Sequence, residues 1–122
     1  MAIQTEQIQS EQIARAAAAA LDAKQAKDIR IYDVRGVSNL TDMTVVATGT
    51  SSPHLKALVS EVQRGLKAQG IACYRTSGTP DSGWVVVDYV HAVVHVFSTE
   101  ARDYYAIEKL WATATEIPLP QS

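Results

Sequence analysis

The stretch Trp84-Val85-Val86-Val87-Asp88-Tyr89-Val90-His91-Ala92-Val93-Val94-His95-Val96-Phe97 constrains this chain more than any other. Val, Tyr, Phe and Trp favour a pleated, buried surface. The run turns polar only at Asp88, His91 and His95. It predicts two apolar strands folded back on each other. A polar turn, Thr79-Pro80-Asp81-Ser82-Gly83, precedes it, and a segment both acidic and aromatic, Glu100-Ala101-Arg102-Asp103-Tyr104-Tyr105, follows it. A buried hairpin beside an acidic helix start is a core with room for a site on it.

The rest of the chain supplies layers for that hairpin. Residues 5 to about 24 read as an Ala-rich helix with Ile13, Ala17, Ala20 and Leu21 on one side, a shallow packing face that lets the helix lie close to a sheet. Residues 28–34 read as a strand that Arg35-Gly36 breaks, and residues 43–48 as an apolar central strand. After Gly49-Thr50-Ser51, Ser52 suits an N-cap and Pro53 the first helical position. Leu55, Leu58, Val59, Val62 and Leu66 then share one helix face, and Gly70 fits the stop. Residues 71–75 suit a short strand and residues 76–83 a loop. Ser98 or Thr99 can cap a last helix to about residue 114, carrying Tyr104, Ile107, Trp111 and Ala114 at helical spacing. Residues 115–122, with Pro118 and Pro120, read as a disordered tail. The predicted order is αββαβββα, an α/β fold with a mixed sheet and packed helices in one domain over residues 1–122.

Composition narrows the function. A net charge of -2, from 11 basic and 13 acidic residues with no Lys/Arg cluster, argues against broad nucleic-acid binding. A chain like this that meets a nucleic-acid machine is expected to meet a basic protein on it. The N-terminus lacks the basic start of a signal peptide, and the longest apolar run is too short to span a bilayer. The single Cys73 cannot form an internal disulfide, which fits a reducing compartment. The expectation is a cytoplasmic protein.

Catalytic patterns are thin. Gly49-Thr50-Ser51-Ser52 lies between a strand and a helix, a setting that suits phosphate. Nucleotidyl transfer also needs paired carboxylates for Mg2+. Residues 53–77 hold one acid, Glu61, and the next strand offers Asp88 alone, so capping and a tight turn explain the loop. His91 and His95, four apart on a strand, would lie roughly 13 Å apart, too far to share one ion. His54 and these two are read as structural histidines. Cys73 has no base beside it and is read as a buried structural residue. No Gly-x-Ser-x-Gly elbow appears. The expectation is no enzyme, no metal and no cofactor. Trp84 and Trp111 suit core or surface, but Trp84 opens a strand next to a Gly-rich loop, so part of its ring can reach solvent. Aromatic rings beside acids are typical protein-binding hot spots, and Asp42, Asp81, Asp88, Glu100 and Asp103 can form an acidic rim.

Three stretches resemble one known family. Asp33-Val34-Arg35-Gly36-Val37-Ser38-Asn39-Leu40-Thr41-Asp42 with Val46-Ala47-Thr48-Gly49-Thr50-Ser51 is similar to the first signature of the ribosomal silencing factor, or Iojap-related, family. Trp84-Val85-Val86-Val87-Asp88-Tyr89 with Val93-Val94-His95-Val96-Phe97 resembles the second, and Arg102-Asp103-Tyr104-Tyr105-Ala106-Ile107-Glu108-Lys109-Leu110-Trp111 the third. The resemblance implies a nucleotidyltransferase-like shape without the catalytic acids. It implies a translation repressor that binds the large ribosomal subunit through its ribosomal protein fourteen and sterically blocks joining of the small subunit. It implies a homodimer when free, and the charge and apolar-run length noted above lead to the expectation of little direct nucleic-acid contact and no membrane. Partner-binding residues on this reading are Asp42, Trp84, Asp88, Tyr89, Glu100, Asp103, Tyr104 and Tyr105. The alternatives are a large-subunit assembly or maturation factor and a nucleotide-binding enzyme. In two places the chain departs from the family pattern: Val90-His91 stands where Gly-Asp is usual, and the loop before Trp84 carries fewer acids.

Overall fold

The computed structural model describes residues 2–38 and 41–119, with side chains from residue 9 onward. The described chain runs α1 (Ala2–Ala23), β1 (Lys27–Asp33), β2 (Met43–Gly49), α2 (Ser52–Ala68), β3 (Arg75–Thr79), β4 (Trp84–Asp88), β5 (Ala92–Ser98), α3 (Thr99–Tyr105) and β6 (Thr115–Ile117). Two 3₁₀ segments, Pro80–Ser82 and Ile107–Trp111, join β3 to β4 and follow α3. The strands form one mixed sheet in the order β3-β4-β5-β2-β1-β6, in which β2 and β5 are the parallel pair. This is the expected α/β architecture, with one strand added at its end.

The hairpin forms as its residues require. β4 pairs antiparallel with β5 in a register that sets Trp84 opposite Phe97, Val86 opposite His95 and Asp88 opposite Val93. All seven residues of β2 are buried, as a central strand with both faces covered must be. Alternation then sorts side chains onto two faces. Met43, Val45, Ala47, Val87, Val94 and Val96 face α1 and α2, where Leu55, Leu58, Val62 and Leu66 complete the larger core. Small residues let α1 lie close: Ala14 and Ala17 are fully buried, and a Cβ on Gly65 of α2 would meet Ala20 at 3.7 Å. The opposite face holds Val34, Val46, Phe97, Ala101 and Trp111 in a smaller core. α3 and the 3₁₀ segment after it cover that face only in part.

Five expectations are corrected. The third strand is Arg75–Thr79 instead of 71–75, and most of the expected loop 76–83 is strand or 3₁₀ turn. All five residues of β3 are exposed, so nothing in its own pattern marks it; pairing with β4 at the sheet edge creates it. The last helix stops at Tyr105, because Ala106 turns left-handed at φ 47°. The tail is not all disordered: Ile117 pairs with Ile31 and Thr115 with Asp33. Residues 120–122 lie outside the described part. The N-cap of α2 is Ser51, whose hydroxyl accepts from His54 N, while Ser52 is already helical. Cys73 is exposed, because the segment before β3 crosses the surface.

Candidate functional site

The partly covered sheet face carries a connected set of rings. Trp84, half-buried at the start of β4, stacks on Phe97 with centroids 5.1 Å apart and touches Tyr105 at 4.8 Å. Tyr105 meets Tyr104 edge-on at 5.0 Å. On the other side Trp84 reaches His95 at 6.0 Å, His95 reaches Trp111 at 5.6 Å, and Trp111 reaches Tyr32 at 5.8 Å. Such offset and tilted pairs are the favoured aromatic geometries. The strip climbs from a buried floor to open solvent, where Tyr105 is 49 % and Tyr104 82 % exposed. Ser98 starts this climb: its hydroxyl accepts from Ala101 N and caps α3 directly after β5.

His95 fixes the centre of the strip. The Trp84 indole N–H is a donor only, and it donates to His95 Nδ1 at 3.2 Å. The imidazole proton therefore sits on Nε2. Burial lowers the His95 pKa from 6.5 to about 4, so the ring is neutral at pH 7. Beside it, His95, Thr44, Val93, Leu110 and Trp111 line an open groove of about 430 Å³ with Val37 at its rim. Leu110 is 68 % exposed, an apolar side chain held out toward solvent at the groove edge. Sequence reading missed Leu110, because its exposure depends on the turn at Ala106. The two histidines do not share a strand face as the sequence suggests: His91 lies in the hairpin turn and only His95 is on the strand.

The predicted site residues separate. Trp84, Tyr104 and Tyr105 come together in the aromatic strip. Tyr89 does not join them at the surface; it is 4 % exposed and packs in the larger core. Its ring follows the odd-numbered side of β4 with Val85 and Val87, which faces α1 and α2. The Tyr89 hydroxyl has no hydrogen-bond partner among the described residues, and burial pushes its pKa up to about 12. Asp88 uses Oδ1 to accept from Val90 N at 2.7 Å and places Oδ2 3.8 Å from Arg75 Nε. It is thus a turn-forming residue. Asp42 Oδ2 accepts from the Ser10 hydroxyl at 2.7 Å and lies 3.8 Å from His91 Nδ1, tying the turn region to α1. Glu100 and Asp103 are exposed on α3. Val90, at φ 72°, occupies the left-handed region that a β-branched residue strongly disfavours, at the position where the family pattern has glycine.

The Gly49-to-Ser52 turn is built for packing. Thr50 N donates to His54 Nδ1 at 2.9 Å, His54 N to the Ser51 hydroxyl at 3.1 Å, and Leu55 N to the Ser51 carbonyl at 2.9 Å. His54 Nε2 in turn donates to the Lys24 carbonyl at 2.8 Å, anchoring the turn to the end of α1. A Cβ on Gly49 would lie 2.7 Å from Leu55 Cδ2, so the glycine serves close packing. Among the described residues no group of three His, Cys, Asp or Glu side chains could hold a metal ion. A larger open groove, about 710 Å³, lies between α2 and β3, but Lys56, Gln63, Thr76 and Asp81 line it without an aromatic ring. The smaller aromatic groove has the better chemistry for protein recognition, since large rigid rings lose little entropy on burial.

Fold and face together define the class, an α/β domain with an aromatic surface on one face of its sheet. Comparison with known proteins identifies it further. The profile of the family described as "Ribosomal silencing factor during starvation" matches residues 7–122. The ribosomal silencing factor RsfS of Haemophilus influenzae is 38 % identical over 92 residues, covering 75 % of this chain and 90 % of that protein. RsfS of Bacillus subtilis is 37 % identical over 102 residues, covering 84 % and 86 %. A crystal structure of a Chromobacterium violaceum protein superposes with TM-score 0.81 at 35 % identity, covering 92 % of each chain. The chain belongs to the ribosomal silencing factor family, non-enzymatic ribosome-binding factors that regulate translation.

No helix of the described part is long and apolar enough to cross a membrane.

Proposed function

We propose that this chain represses translation in the cytoplasm by binding the large ribosomal subunit through its ribosomal protein fourteen and standing where the small subunit would dock. The observation that carries this reading is the strip Trp84–Tyr105–Tyr104 on an incompletely covered sheet face, with Leu110 projecting beside it. Burying those rings against a partner removes apolar surface from water, and that is the dominant favourable term in most protein association. Trp84, Tyr104 and Tyr105 supply the apolar anchors. Asp42, Glu100 and Asp103 supply negative charge toward basic residues of the ribosomal protein, which steers approach more than it adds affinity. Asp88 and Tyr89 act one step back: Asp88 shapes the turn and Tyr89 fills the core beneath it. The free protein on this reading associates as a homodimer.

The test is co-sedimentation with purified large subunits followed by subunit joining on a sucrose gradient. Wild type should pellet with large subunits and reduce joining. Tyr105→Ala should pellet at least tenfold less, since an anchoring aromatic is worth roughly 2 kcal/mol or more. Undiminished pelleting and undiminished inhibition by both Tyr105→Ala and Trp84→Ala would remove this face from the mechanism.

A further inference from the structure

The segment that bears Leu110 and Trp111 is short and follows a reversal. Ala106 takes φ 47° and ψ 40°, and the chain doubles back from α3 as the 3₁₀ segment Ile107–Trp111. A 3₁₀ stretch of this length has poor internal hydrogen bonds. Its placement must come from side chains.

Burial of Trp111 in the smaller core contributes, and one guanidinium adds direction. Arg102, on α3, is 8 % exposed. Its Nε donates to Glu108 Oε1 at 2.8 Å and its Nη2 to Glu108 Oε2 at 3.1 Å. Its Nη1 donates to the Asp28 carbonyl at 2.7 Å and to Thr48 Oγ1 at 2.8 Å. The Tyr32 hydroxyl donates to Glu108 Oε2 at 2.8 Å. Arg102 thus holds the 3₁₀ segment with one edge and strands β1 and β2 with the other. A two-pronged arginine–carboxylate pair fixes direction as well as distance. An ion pair buried on its arginine side is by itself weak evidence for stability, because desolvation offsets the attraction. Its distinctive product here is orientation. Trp111 is laid against Tyr32 and His95, and Leu110 is held at the groove rim. Neither Arg102 nor Glu108 lines that groove.

We propose that Arg102 and Glu108 are positioning residues, a clamp that sets the Leu110–Trp111 wall of the groove before the large subunit docks. The proposal rests on the reading of this face as the subunit-binding surface. Pre-setting the wall removes its ordering cost from the binding step and so raises affinity without a direct contact.

The experiment uses the full chain and purified large ribosomal subunits. Glu108→Gln keeps the shape and removes the charged grip; Tyr32→Phe removes one hydroxyl bond and remains informative should Glu108→Gln fold poorly. Val62→Ala, in the opposite core, serves as a control that lowers stability without touching the clamp. Amide exchange over residues 107–111 and the Kd for large subunits are both measured where circular dichroism shows each variant folded. Glu108→Gln should exchange at least tenfold faster in that segment and bind about tenfold more weakly, and Tyr32→Phe about two- to threefold more weakly, with Val62→Ala near wild type in both. Unchanged exchange, or faster exchange with a Kd within twofold of wild type, overturns the clamp while leaving the docking face intact. Weakening by Val62→Ala as large as that by Glu108→Gln also overturns it, since stability alone then explains the loss. A wild-type chain that binds no large subunit overturns the docking reading, and the clamp's purpose with it.

Discussion

Acid should destabilise this protein through His95 before its carboxylates respond. The ring is 9 % exposed, its Nδ1 accepts the Trp84 indole N–H, and burial holds its pKa at about 4 against 6.5. The folded state therefore prefers neutral His95, while the unfolded chain takes up a proton as pH falls through 6.5. Stability is full above that value and falls with pH until the folded ring itself protonates near 4. At ~1.4 kcal/mol per pH unit the whole interval is worth about 3 kcal/mol, and the step from pH 7 to pH 5 about 2 kcal/mol. That is a large share of the 5–15 kcal/mol typical of a whole domain, by about the same reckoning. Asp33 and Glu108 have pKa values lowered by Arg35 and Arg102, so their contributions are lost only below the ordinary carboxylate range. Urea unfolding followed by circular dichroism at pH 7, 6 and 5 measures the effect. His95→Gln keeps an acceptor for Trp84 and cannot titrate, so the wild type should lose about 2 kcal/mol relative to this variant between pH 7 and 5. Parallel pH dependence in the two proteins would refute the argument.

Three further changes test the packing of single residues. Val90→Gly should raise stability by about 1 kcal/mol in urea unfolding, because relief of the left-handed strain exceeds the entropy glycine adds to the unfolded chain. Tyr89→Phe removes a hydroxyl without a described partner and should leave stability equal or raise it by about 1 kcal/mol; a loss beyond about 1 kcal/mol would mean that the hydroxyl is satisfied. Gly49→Ala should cost about 1–3 kcal/mol, seen as a lowered thermal midpoint, because its Cβ meets the Leu55 side chain at 2.7 Å.

Local signals made much of the fold legible. Leu55, Leu58, Val59, Val62 and Leu66 announce the packed face of α2; all are buried except Val59, which is half-buried at its edge. The largely apolar run of β2, broken only by Thr44 and Thr48, announces a strand covered on both sides, and the Val-rich run from Trp84 announces the hairpin. The site was legible in part. Trp84, Tyr104 and Tyr105 stood out as aromatic residues near polar breaks, but nothing in the sequence joined them to His95, Leu110 and Trp111. Tyr89 looked equivalent to Trp84 by residue type. Parity along β4 separates them, since side chains five apart on a strand point to opposite faces.

The sequence alone determined the layers, the central strands and the family, because hydrophobic period and signature residues are properties of neighbours along the chain. Tertiary structure alone decided the edges and the site. β3 and β6 exist because β4 and β1 offer them backbone partners, not because their own residues prefer to be strands. The last helix ends early because Ala106 reverses and Arg102 grips Glu108, Asp28 and Thr48 from three separate elements. The bond from Arg102 to the Asp28 carbonyl alone joins residues 74 positions apart, beyond the reach of any local pattern.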